Sequence, residues 1–383
     1  MKKFAQGNEE LLFVKKESIE GEFEYPAAAN ALLAIGAATS NQDDEFIPDA
    51  QVRNRRSHMS PIKGRTNPGT WGLSTYTKPS GVLNTPPEAD VLFECAMGKK
   101  SVNGGVVYAL DSSINYPSFS LLRKVGHTCF FMAGATVNDL TMKVSGAEIG
   151  QETWGGQFMH WYLAGESVLT TAAITSDTHI HVDDPLRYSD SVIKIVVGAD
   201  DNSGDGYLVT DVNYATGQID ITPNIVTGAL LGAAVKPWYP STQTEVGTPV
   251  HGKYGAVTID GKTAIILEAT ITLGNGIKYY TDIKDGKMYP SIYGAPGFRE
   301  VSGTLRLYFF KNMPNYFYRS SNQVQNNLIV PCGNVSGRIM EINCPRIEYK
   351  TPAISGEEDV MVDLAFQAVS SSAGDDELAV TFK

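Results

Sequence analysis

Several short clusters in this chain have residue types that could bind an ion or a ligand. Asp201-Asn202-Ser203-Gly204-Asp205-Gly206 copies the opening of a calcium loop, where alternate oxygens converge on a hard cation. That motif needs a bidentate glutamate at its twelfth position, where Val212 stands, and no helices are predicted to flank it. A β-turn accounts for the stretch. Gly255 to Gly261, followed by Lys262-Thr263, resembles a phosphate loop, but five residues separate the glycines where the motif has four. It also sits at a hairpin turn and not before a helix. His179 and His181 share a strand face with Asp183 next along it, and they would hold a metal only if a third ligand arrived from elsewhere. His127 and Cys129 repeat that spacing and that shortfall. Neither G-x-S-x-G nor H-E-x-x-H occurs. Carboxylates are plentiful, as in any acidic protein, and no pair stands out as a glycosidase's. The sequon Asn334-Val335-Ser336 has meaning only in an exported protein. No catalytic, cofactor-binding or metal-binding residue is therefore predicted, and the chain is not expected to be an enzyme.

The bulk properties point the same way. The 383 residues are enough for two domains, and 42% hydrophobic content is enough for a core. A net charge of −11 argues against a protein that grips nucleic acid, which needs clustered Lys and Arg. It does not argue against a surface that DNA slides past. The cysteines, Cys95, Cys129, Cys332 and Cys344, are scattered without a C-x-x-C pair, which suits buried thiols better than disulfides or zinc. Met1-Lys2-Lys3-Phe4 is basic, but Ala5-Gln6-Gly7-Asn8-Glu9-Glu10 follows where the apolar core of an export signal would lie. The most apolar run, Ala27 to Ala38, is too short for a bilayer and contains Asn30, so no membrane insertion is expected.

The elements that must position these residues are mostly strands. Leu140, Met142 and Val144 alternate with Thr141, Lys143 and Ser145, the period of a half-buried strand. Ile265, Leu267, Ala269, Ile271 and Leu273 line one face of another; Leu305, Leu307 and Phe309 a third; Val360, Val362, Leu364, Phe366 and Ala368 a fourth. After the turn Gly374-Asp375-Asp376, Leu378, Val380 and Phe382 share a face in a strand that ties the end of the chain into a sheet. Hairpin turns are predicted at Asp260-Gly261 and Asp285-Gly286. One helix is clear, over about 86–97. Thr85-Pro86-Pro87-Glu88 reads as its capping box, Val91, Leu92, Cys95 and Ala96 as its apolar stripe, and Gly98 as its left-handed cap. Lys99 and Lys100 would favour its negative end. Leu11 to Tyr25 reads as an extended arm. Residues 40–70 form a long polar loop with no sustained period, acidic first (Asp43, Asp44, Glu45) and basic after (Arg53, Arg55, Arg56, Lys63, Arg65). The fold class is mostly β, a two-sheet sandwich or barrel with one short α-helix. Residues 179–240 have their own strand series, at Val192 to Val197, Tyr207 to Val212, Gln218 to Thr222 and Ala233 to Pro237. They read as a small acidic β-barrel inserted between core segments 1–178 and 241–383.

In order along the chain, these segments resemble the tail tube (major tail) proteins of long-tailed, non-contractile bacteriophages. Leu11-Leu12-Phe13-Val14-Lys15-Lys16-Glu17-Ser18-Ile19-Glu20-Gly21 is similar to the family's opening strand and turn. Pro26-Ala27-Ala28, the charged loop ending at Arg53 to Arg56, and the helix from Pro86-Pro87-Glu88-Ala89-Asp90 to Gly98 follow in the family's order. So do Thr272-Leu273-Gly274-Asn275-Gly276-Ile277, Pro345 to Pro352, Glu357-Glu358-Asp359-Val360 and the Asp375-Asp376-Glu377-Leu378 ending. The likeness spans the chain outside residues 179–240. It implies two sheets packed around a short helix and self-assembly into stacked hexameric rings. The lumen would hold the tape-measure protein and later pass DNA without specific binding. Tail-terminator and distal tail proteins would close the tube ends. The protein would be made and assembled in the host cytoplasm and reside in the virion tail.

On this likeness the long loop contacts the next ring, with Asp43, Asp44, Glu45, Arg53, Arg55, Arg56, Lys63 and Arg65 as contact residues, and the insert projects outward. Acid at one end of the loop and base at the other suits a head-to-tail contact between copies. Two other readings stand beside it. A non-stacking tail-terminator or baseplate ring protein would share the fold. A secreted or surface carbohydrate-binding or glycoside-acting β protein would use Trp154, Trp161, Trp238 and Tyr239 to stack on sugars.

Overall fold

The computed structural model describes residues 9–47, 61–112, 116–282, 287–309, 313–356, 359–372 and 374–383. Strand occupies 49% of the chain and helix 7%, so the mostly-β class holds. Two helices are present where the sequence predicted one: Asp90–Met97 and Met313–Ser321. Among the described residues no sheet closes into a barrel, which corrects the barrel expected for the insert and allowed for the core.

The main sheet is antiparallel. Its central run is Gly69–Tyr76, Gln151–Phe158, the second half of Thr128–Ser145, Ile266–Gly274, Glu300–Tyr308 and Met361–Ala368. Period two is what builds it: Leu140, Met142, Ala269, Ile271, Leu273, Leu305, Leu307, Val362, Leu364 and Phe366 all turn to one buried side. The predicted alternation fails at strand ends and at Leu267, where a bulge shifts the register and Ile266 packs on the core instead. Ile265 precedes its strand and is exposed, and Phe309 and Val360 pair beyond the end of theirs, also exposed. The first half of Thr128–Ser145 changes partners, pairing with Phe119–Val125 and His160–Ala164. The change comes at Gly134, φ 64°, where a Cβ would lie 2.6 Å from Met159 Cγ.

Past Met361–Ala368 the sheet forks. One end of Met340–Tyr349 pairs with that strand and the other with the C-terminal strand Ala379–Phe382, which continues to Val106–Leu110. The helix Asp90–Met97 lies inside, against Thr128–Ser145, Glu10–Lys16, Gly98–Val102 and Val106–Leu110. Leu92, Cys95 and Ala96 are buried as predicted, and so are Phe93 and Met97, because strands cover the helix on more than one side. Phe93 meets Trp154 at 4.8 Å and Phe382 at 5.2 Å between ring centroids. Each such aromatic pair adds about 0.5–1.5 kcal/mol beyond burial. The C-terminal strand is thus part of the core, as its alternation predicted.

The helix begins differently from the prediction. Its N-cap is Ala89 with no side-chain cap, so there is no capping box. The Glu88 carboxylate has tertiary partners instead: it accepts from Leu33 N–H at 2.7 Å and pairs with Lys78 at 2.8 Å. At the other end Gly98, φ 90°, donates to Glu94 O as the expected cap. Lys100 does not serve that end; it reaches back to Asp90 in the first turn, at 2.6 Å.

The predicted arm is not free. Glu10–Lys16 pairs along its length with Phe119–Val125, and Leu12, Phe13 and Val14 are buried on both faces. Strands Ser167–Val168, Ala234–Pro237, Lys194–Val197, Tyr207–Asn213, Gln218–Thr222 and His179–His181 form a separate six-stranded sheet. Its edge strands meet through Thr170 N–H to His181 O, 2.9 Å, and Asp183 N–H to Val168 O, 3.1 Å, without a closing ladder. Ile195, Tyr207, Ile219 and Val235 share one apolar cluster with Phe13, Leu122 and Phe131 of the main body.

Candidate inter-subunit contact site

The residues picked out for chemistry are occupied by local structure. Asp201 accepts from Gly204 N–H at 3.1 Å and Asn202 donates to Gly206 O at 3.0 Å, so the calcium-like stretch holds its own turn together. Asp260 and Gly261 have φ of 50° and 71° and form the hairpin turn inside the phosphate-loop lookalike. The predicted turn at Asp285-Gly286 lies outside the described residues. The His179 and His181 rings are 5.6 Å apart, opposite Asp220 and Gln218. His127 pairs with Glu166, while Cys129 is buried with its thiol pushed up to about 12 by burial. Among the described residues no three His, Cys, Asp or Glu side chains converge as a metal site requires, and no helix is long and apolar enough to cross a membrane. The aromatics offered for sugar stacking face inward. Trp154 is buried and donates to Thr75 at 3.0 Å; Trp238 is buried and donates to Gly204 O at 2.7 Å. Trp161 packs on Phe130 and Phe158, and Tyr239 lies under Lys124.

The long polar loop is instead a built feature. After the short edge strand Thr39–Asn41, Asp44–Ile47 pairs with Ile62–Thr66 as a two-stranded ribbon. This corrects the expectation of a loop without period. The positions the ribbon buries are Gly64 and Thr66, so there is no apolar alternation for the sequence to show. The structure brings Asp43, Asp44, Glu45, Lys63 and Arg65 together on this ribbon, all exposed. Arg53, Arg55 and Arg56 lie outside the described residues. Asp44 pairs with Lys63 at 2.9 Å and accepts from the Thr66 hydroxyl; Lys63 foremost holds its carboxyl below the usual range. Glu45 and Arg65 have no ion-pair partner among the described residues.

Two features of the ribbon escaped the sequence. The first is apolar: Phe46, Ile47 and Ile62 are 61%, 49% and 61% exposed, and Ile47 lies directly opposite Ile62. Phe46-Ile47 amid acidic residues was the available signal, since no core period calls for them. The second is the root. Gln42 donates to Asn67 O and to Met159 O, each at 2.9 Å, and accepts from Trp161 N–H at 3.2 Å. Thr66 N–H donates to Met288 O at 2.8 Å. Beside the root His160 stacks on Tyr289 at 4.3 Å, and burial pushes its pKa down to about 4. The ribbon thus springs from a fixed, neutral base and presents apolar and charged side chains outward. Contiguous exposed apolar residues rimmed by charge mark protein contact surfaces.

A family model of phage tail tube proteins matches residues 7–368. No curated protein matches the chain. The chain belongs to the phage tail tube protein family, a structural family of the virion tail whose members self-associate in a tube.

Proposed function

We propose that this member of the tail tube family is the repeating subunit of a long, non-contractile phage tail. Copies form hexameric rings that stack head to tail around a lumen. The lumen holds the tape-measure protein during assembly in the host cytoplasm and passes DNA at ejection. Tail-terminator and distal tail proteins bind the two tube ends. The ribbon Asp44–Ile47/Ile62–Thr66 is the contact to the next ring, through Phe46, Ile47 and Ile62 with Asp43, Asp44, Glu45, Lys63 and Arg65 around them. Arg53, Arg55 and Arg56 extend the basic side of the same contact. Residues 179–240 form an inserted unit that faces outward, because neither a lumen nor a ring contact has room for it.

The observation that carries this proposal is the ribbon itself. Two strands that bury little within their own subunit expose three large apolar side chains beside charges of both signs. A head-to-tail contact needs such a surface, complementary to a different patch on the next copy. Net charge of −11 fits a channel that DNA passes without adhering. Negative-stain electron microscopy of the purified protein over a concentration series tests the proposal. Rings with a central hole, or stacked tubes, are expected. A monomer at every concentration that also binds glycans would overturn it.

A further inference from the structure

The basic opening Met1-Lys2-Lys3-Phe4 plays no part in the contacts described above, and it lies outside the described residues together with Ala5 to Asn8. The described chain starts at Glu9, on the wall of a groove where the main body meets the separate six-stranded sheet. The groove consists of two adjoining cavities, about 570 and 760 Å³, both lined by the His127–Glu166 pair. Glu9, Lys124, Lys236 and Tyr239 line the first. Leu163, Val168, Asp183, Leu186 and Ala234 line the second. Val168 is 40% exposed there and Leu186 80%. Large aliphatic side chains left open in a concave, charge-rimmed site mark a surface that something covers.

Reach and charge both single out the chain's own opening residues as the cover. Leu11, Lys124, Cys129 and Ala164 stand in register on four adjacent strands. At about 4.8 Å per strand, that row is about 14 Å from the first strand to the point where the chain leaves for the insert. Phe4 stands five residues before Glu9 and reaches about 17 Å in extended form. Charges match in the same order. Ala5-Gln6-Gly7-Asn8 is neutral and would cross the first cavity, where Lys124 and Lys236 balance Glu9 and Glu166. Lys2 and Lys3 would then arrive at the second cavity, whose rim carries Glu166 and Asp183. Its cation, Arg187, is already held by Asp184 at 2.8 Å and by the Glu166 carbonyl. Phe4 is the apolar group that Val168 and Leu186 lack. The same junction is clamped from within by Lys194, whose ammonium lies 4.2 Å from the Tyr25 ring and 5.1 Å from the Trp238 ring.

We propose that residues Lys2 to Asn8 fold back along this groove within their own subunit, with Phe4 against Val168 and Leu186, and strap the insert to the main body. The strap fixes the direction in which the insert points, whatever the insert meets. The test uses the full chain as dilute free subunits, so it does not depend on ring formation. Cys95, Cys129, Cys332 and Cys344 are all fully buried, so a new cysteine pair oxidises without background. Lys3→Cys is combined with Leu186→Cys in one variant and with Lys236→Cys in another. Lys236 is exposed and lines the same cavity as Glu9, so an undocked tail meets it at least as often as Leu186. The Leu186 pair is expected to close at least about tenfold faster than the Lys236 pair, at a rate independent of protein concentration. Adding Phe4→Ser or high salt should slow it. Should Leu186→Cys fail to fold, Val168→Cys takes its place. Equal or faster closure at Lys236, or a Leu186 rate that neither Phe4→Ser nor salt changes, overturns the strap. Disulfides that form only between molecules, faster at higher concentration, overturn it in favour of a second copy's segment in the groove.

Discussion

Ile47→Ser tests the ribbon contact with little disturbance of the subunit. Ile47 is 49% exposed and faces Ile62 across the ribbon. Burying a whole isoleucine side chain is worth about 1.5–3 kcal/mol, so the half still exposed offers about 1 kcal/mol to a neighbour. One ring of the proposed hexamer makes this contact once per copy, which gives about 6 kcal/mol for each ring added. At 1.4 kcal/mol per decade, the critical concentration of preformed rings should rise by about four orders of magnitude, which in free subunits is about fivefold because each carries about 1 kcal/mol. The subunit itself should change by about 0.5–1 kcal/mol, the range for an exposed strand position. Sedimentation of tubes over a dilution series measures the first quantity and thermal unfolding the second. A critical concentration of preformed rings within a few-fold of the parent's, from a folded variant, would refute the ribbon as the stacking contact. Six-fold repetition is what makes the assay decisive, because it turns a small local term into a large shift.

Other consequences follow from buried charges and the ribbon root. Glu152 is buried, with Thr75 donating to one oxygen at 2.8 Å, and desolvation raises its pKa from 4.5 to about 7. A raised carboxyl favours the fold below about pH 4.5 and loses that contribution as pH rises through about 7, roughly 3 kcal/mol in all. Glu152→Gln should therefore gain in Tm relative to the parent between pH 5 and pH 9, and an unchanged difference would show that Glu152 titrates normally. Arg299, with its side chain 9% exposed, pairs with Asp375 and Glu377 at 2.9 Å each and so pins the turn before the C-terminal strand. Burial opposes the Asp375 charge, but Ser112 and Arg299 together hold its pKa at about 2. Arg299→Met leaves two carboxylates without their cation and should cost about 3–5 kcal/mol, with faster amide exchange in Ala379–Phe382; undiminished protection there would exclude the pin. Gln42→Ala should cost about 1–3 kcal/mol and speed exchange in Asp44–Ile47 before the rest of the sheet, and uniform exchange would show that the root is held elsewhere.

What this sequence determined by itself are the terms that act over a few residues. Alternation of Leu305 and Leu307 with Arg306 fixes which side of a strand is buried, because successive side chains point to opposite faces. Gly98 ends a helix because only glycine enters the left-handed cap at no steric cost. Leu378, Val380 and Phe382 mark a core strand for the same reason as Leu305, and the order of such segments was enough to identify the family. Tertiary structure decided everything that depends on partners far along the chain. Glu88 had the spacing of a capping box, yet Leu33 and Lys78 took its carboxylate. Leu11 to Tyr25 read as an extended arm, yet Leu12 to Val14 pair with Phe119–Val125 and are buried on both faces. The ribbon was illegible because the positions it buries, Gly64 and Thr66, are not large apolar residues, and buried apolar side chains are what write a period into a sequence. Ser74, Thr153, Thr141, Thr272, Ser302 and Gln367 stand in register on six strands spread from residue 69 to residue 368. Only the register of long-range pairing places those polar side chains next to one another, and register is set by closing the whole core, not by any one segment.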